Sequence, residues 1–105
     1  MTGKKKMRGA DLQPQFPALR EFFSGYLHQD FRHEYGSATG AAGAFLKDAN
    51  AAEIQAVQNE WKIWRSTFKK SSLDEIAIAL RRLGAAWQPR NEHELDEVAK
   101  VLAQS

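Results

Sequence analysis

The chain reads as all-α: one compact bundle of about five helices behind a basic N-terminal arm. Three observations predict this. Ile54, Val57, Trp61, Trp64 and Phe68 recur at steps of three, four, three and four, which places them on one helical face. Ser72 with Glu75, and Asn91 with Glu94, have the three-residue spacing of a capped helix start. No segment alternates polar and apolar residues as a half-buried strand does.

Taken in order, residues 1–15 (MTGKKKMRGADLQPQ) show neither period and read as a flexible basic arm, leaving 16–105 as a single helical domain. Pro17 opens the first helix, at the position where its missing N–H costs nothing. Leu19, Phe22, Phe23, Tyr26 and Leu27 form its apolar face, Phe16 precedes it as a candidate staple, and its end falls near His28 to Phe31. Gly36 breaks the chain. Ser37 then caps a second helix with Ala41, Ala42, Phe45 and Leu46 inward; Gly40 and Gly43 make it a poor helix on its own. Asn50 caps the third helix, the one with the aromatic stripe. Ser72 and Glu75 start the fourth, where Leu73, Ile76, Ala77, Leu80 and Leu83 share a face and Gly84 supplies the stop. After Pro89, Asn91 and Glu94 start the last helix, with Leu95, Val98, Ala99 and Leu102 on its apolar stripe.

Bulk properties narrow the function classes. A chain of 105 residues is one domain, burying roughly 65% of its unfolded surface, enough for one core but not for a deep internal active site. The absence of cysteine excludes a disulfide framework, a thiolate zinc site and a cysteine nucleophile, and suits the cytosol. The lysines at 4–6 are not followed by the apolar run of a signal peptide, and no stretch has the length of a membrane span. The net charge of +2 is a property of the arm. Four of the 15 basic residues and none of the 13 acidic ones lie in the first ten positions, so the remainder is net −2, which weakens a nucleic-acid reading built on pI.

Four constellations carry possible chemistry. In HQDFRHE, residues 28–34, His28, Asp30, His33 and Glu34 are metal-ligand types. The two histidines stand five apart and do not share a helical face, so no metal site is expected; the segment reads instead as a helix end whose polar groups satisfy the last free carbonyls. No nucleophile elbow or phosphate-cradling loop is present, so no catalytic residues and no cofactor are assigned. In WKIWRSTFKK, residues 61–70, the aromatics belong to the core stripe, while Lys62, Arg65 and Lys69 line its edge. The functional alternative there is a small helical nucleic-acid-binding protein. NEHELDE, residues 91–97, crowds carboxylates into a first helical turn, where they suit the helix dipole or form an acidic patch for a cationic partner.

FPALREFFSGYLHQD, residues 16–30, resembles the opening block of the contact-dependent growth inhibition immunity proteins, the CdiI-type family. A leucine-rich helix ending in Leu83-Gly84 and the turn Trp87-Gln88-Pro89 extend the likeness to about residue 102. The family has Trp after His-Gln-Asp where this chain has Phe31, and Cys-Tyr-Tyr-Asp-Pro at the turn where this chain has Ala85 to Pro89. The resemblance implies a cytoplasmic protein that binds a toxin's C-terminal domain, typically a nuclease, in a 1:1 complex and without turnover, with neither membrane nor direct nucleic-acid contact. An electropositive nuclease cleft calls for carboxylates, and Asp30, Glu34, Glu92, Glu94 and Asp96 are the candidates. Tyr26, Phe31 and Trp87 are candidate aromatic anchors where exposed. His28, Gln29 and Asp30 are expected to hold the end of the first helix, so that the motif shapes the fold more than the binding face.

Overall fold

The computed structural model describes residues 16–104, so the basic arm assigned to 1–15 lies outside the described residues. Six helices follow one another: α1 (Pro17–Tyr26), α2 (Phe31–Tyr35), α3 (Ala38–Asp48), α4 (Ala51–Thr67), α5 (Leu73–Arg82) and α6 (Glu92–Leu102). No strand occurs among the described residues. None of these helices is long and apolar enough to cross a membrane.

The starts follow the chemistry of their first residues. Pro17 sits in the first turn of α1. Ser37, Asn50, Ser72 and Asn91 each accept the N3 backbone N–H of the helix that follows. At Asn50 and Ser72 the box is complete, because Glu53 and Glu75 each accept the cap residue's own N–H. At α6 only half of it forms: Glu94 accepts the Arg90 N–H at 3.0 Å instead of that of Asn91.

The core is aromatic. Phe23 lies edge-on to Trp61 and Trp64, with centroids at 6.5 and 6.3 Å, and Phe22 meets Phe45 at 4.9 Å. Each such ring removed from water stabilises the fold by roughly 1.5–3 kcal/mol. The buried stripe of α5 runs through Ile76, Ala79 and Leu80, while Leu73 and Ala77 are only partly covered. Gly40 is a close-approach position: a Cβ there would run into the Tyr35 carbonyl, so the tight α2–α3 corner admits no side chain.

Polar clamps lock helix ends that the dipole leaves unsatisfied. Glu60 of α4 accepts the free N–H of Leu19 at 2.9 Å, fixing the start of α1. The Gln58 amide donates to the Leu102 carbonyl, fixing the end of α6. Ala86 N–H donates to the Leu27 carbonyl at 2.7 Å, fixing the end of α1.

That last bond corrects the expected reach of the first helix. It stops at Tyr26, with Leu27 as its cap, and a separate short helix begins at Phe31. The His28 imidazole does not cap the α1 carbonyls. Its Nδ1 accepts the Asp30 N–H at 3.1 Å, and its Nε2 meets Glu34 Oε1 at 3.1 Å. A neighbouring loop therefore satisfies the helix end, and the histidine shapes the turn into α2.

Candidate partner-binding face

The described residues form two grooves beside α1 and its end. The first lies between α1, the end of α3 and the start of α4, and has a volume of about 610 Å³. Tyr26 reaches it from the last turn of α1, and its hydroxyl donates to Asp48 Oδ2 at 2.8 Å. The Tyr26 ring stacks on Tyr35, with centroids 5.8 Å apart, and its neighbour Phe45 meets it edge-on at 5.6 Å. Glu21 and Glu53 complete the rim, and no Lys, Arg or His is among the lining residues. Glu53 is held in the groove by the α4 capping box, through which one of its oxygens accepts the Asn50 N–H.

The electrostatics of this groove register in Tyr26 and in Tyr35, which stacks on it. Burial, followed by the hydrogen bond and the charge of Asp48, pushes the Tyr26 hydroxyl up to about 12. Burial and the charges of Glu34 and Asp48 push Tyr35 upward as well. Both phenols remain proton donors at neutral pH in a negative field.

The second groove, about 530 Å³, is lined by His28, Gln29, Arg81, Ala86, Trp87 and Gln88. It is the seam where the residue 83–89 turn closes on the end of α1. Gly84 makes that closure possible, with φ +97° and the Ser24 Cβ 3.3 Å from where a side chain would start. The His-Gln-Asp block and the Trp-Gln-Pro turn, far apart in sequence, thus meet here.

A family model described as CdiI immunity protein matches residues 15–100. The chain belongs to the CdiI immunity protein family. No curated protein and no solved structure matches it.

Within this CdiI-family fold, the structure separates the residues singled out in the sequence. Tyr26 lies in the acidic groove. Glu34 is exposed and engages His28. Asp30 is held by its backbone, whose N–H donates to His28 and whose carbonyl accepts the His33 and Glu34 N–H groups; its carboxylate makes no cap bond, and the residue is exposed. Gln29 is exposed in the second groove. Glu92 and Asp96 are exposed on the first turns of α6, and Glu94 is drawn to Arg90; neither groove includes them. Phe31 and Trp87 fail the condition of exposure set for anchors, at 4% and 2% exposed. Their rings are core, because α2 and the residue 83–89 turn fold inward over them.

Along α4 and the turn after it, the aromatics beside the basic edge are mostly turned into the core, Phe68 being partly buried. Lys62 and Lys69 are exposed, but Trp61 and Trp64 beside them are buried. Among the described residues, no group of three or more His, Asp or Glu side chains is arranged to hold a metal ion. Sequence reasoning missed Glu21, Tyr35, Asp48 and Glu53. One signal was available: Asp48 ends α3, where a carboxylate opposes the helix dipole and calls for another reason to be there.

Proposed function

We propose that this chain binds the C-terminal toxin domain of a contact-dependent growth inhibition system, a nuclease, in the cytoplasm, and neutralises it one-to-one without turnover. Membership of the immunity family carries the partner class. The acidic tyrosine groove is the observation that carries the mode of action: three carboxylates and a phenol on one face, with no basic lining residue. A nuclease cleft is electropositive because it holds a phosphate backbone, so such a face speeds encounter and competes with nucleic acid. An interface of roughly 1,600 Å² in total is the usual size for a specific complex of this kind. Accessible surface is 6406 Å², and about half of that interface, roughly 800 Å², falls on this chain, about an eighth of its surface.

The reading is tested by growth. The toxin domain encoded beside this chain is induced in a heterologous bacterium with and without the chain. Growth is restored by the wild type, and restored much less by Glu21→Gln/Asp48→Asn at equal abundance. Killing at every expression ratio of the wild type would refute the proposal.

A further inference from the structure

The groove between α1, α3 and α4 has the chemistry of a slot for one kind of side chain. Its walls near the mouth are small or flat: Pro17, Ala18, Ala49, Ala52 and Ala56. Phe22 and Phe45 form a buried floor, and Tyr26 offers the partly exposed ring above it. The carboxylates on the rim retain acceptor capacity. Tyr26 engages one oxygen of Asp48, Asn50 engages one oxygen of Glu53, and Glu21 is exposed with no ion pair among the described residues. A volume of about 610 Å³ holds a long side chain with some of its flanking backbone.

We infer that this groove receives an arginine side chain of the toxin domain, its guanidinium lying against Tyr26 and bonding to the carboxylates at the rim. The inference rests on the immunity reading for the identity of the partner. Charge complementarity requires a cation, since the lining is anionic and contains no positive group of its own. The choice between the two cations follows from shape. The Tyr26 ring already packs on Phe22, Phe45 and Tyr35, so the choice rests on the carboxylates: a planar guanidinium presents paired N–H groups to carboxylates on either side, whereas an ammonium is a compact point charge that holds its water more tightly. Asp48, Glu53 and Tyr26 line the same groove, and Tyr26 and Asn50 each engage one carboxylate oxygen there. A charged contact of this kind speeds association and fixes register, and arginine is a common anchor at the centre of interfaces.

The test is an amide NMR titration of the full chain with acetyl-Gly-Arg-Gly-amide, using the citrulline tripeptide as its neutral isostere. The expected result is millimolar binding by the arginine peptide, with shifts confined to residues around Ala18, Tyr26, Asp48 and Ala52, and at least tenfold weaker effects from citrulline. Glu21→Gln/Asp48→Asn abolishes the response while keeping its melting temperature; Ala52→Phe, at an exposed groove position, abolishes it by bulk and guards against a folding artefact. Equal shifts from citrulline, shifts elsewhere, or no response in both the wild type and the variant with Lys4, Lys5, Lys6 and Arg8 changed to Gln overturn the slot. A response seen only when Lys4, Lys5, Lys6 and Arg8 are all changed to Gln shows that the chain's own arm fills the groove, and overturns the toxin as occupant. The two readings fail separately: protection from the toxin without arginine binding removes the slot and leaves the immunity function, whereas arginine binding without toxin affinity removes the immunity function and leaves the slot's chemistry.

Discussion

The two grooves formed beside α1 by the described residues are similar in size and differ in chemistry. The one at His28, Trp87 and Gln88 brings together the segments by which the chain resembles its family, yet its large ring is buried and its hydrogen bonds run between parts of the same chain. The one at Tyr26, Asp48 and Glu53 draws two of its three carboxylates from outside those segments, and offers an outward-facing negative field. The difference teaches that a recognisable motif marks where the fold is joined, and that the proposed binding surface combines Glu21 and Tyr26 of that block with Asp48 and Glu53, which carry no signature.

Substitutions separate the two. Trp87→Ala removes an indole that is 2% exposed, which costs about 3–5 kcal/mol. Urea unfolding is expected to show that loss, and protection from the toxin falls only as far as folded protein does. A stable Trp87→Ala with no toxin affinity would turn the joint into a binding site. Gly84→Ala forces a side chain into φ +97° with Ser24 at 3.3 Å, costing about 1–3 kcal/mol in the same assay.

Tyr26→Phe sharpens the other side. The lost hydrogen bond to Asp48 is worth about 0.5–1.5 kcal/mol at neutral pH. The pH dependence is more telling. The folded phenol releases its proton at about 12 and the unfolded one near 10, so between these values the unfolded chain binds fewer protons. Wild-type stability from this group is therefore complete below pH 10 and is lost as pH rises towards 12. Melting curves across that window are expected to fall less steeply for Tyr26→Phe; Tyr35, also raised, supplies part of the remaining slope. The smallest effect on stability belongs to Glu21→Gln/Asp48→Asn. Apart from the Tyr26 bond, these changes touch the surface and are expected to stay within about 0.5 kcal/mol of wild type in urea unfolding.

Most of the fold was legible because its signals are local. The three-four spacing of Ile54 to Trp64 and the paired cap residues at Ser72 and Glu75 act within one or two turns. What escaped depends on contacts through space. Helix α2 is five residues long, too short for a period, and exists because His28 turns the chain and Phe31 is buried. Glu94 breaks its box by accepting the Arg90 N–H instead. Tyr26 was readable as the polar end of an apolar stripe, but its partner Asp48 is 22 residues away, and no spacing rule links them. Phe31 and Trp87 looked like anchors because aromatic type alone does not distinguish a ring facing a partner from one facing the core.

The central claim is that this chain acts by occupying a toxin rather than by chemistry of its own. The most direct measurement titrates the purified chain into a fixed amount of the neighbouring toxin domain and follows nucleic-acid cleavage. The account predicts a straight fall in activity that reaches zero at one equivalent and stays there. Full cleavage in excess chain, or silencing of many toxin molecules by one chain, would contradict it.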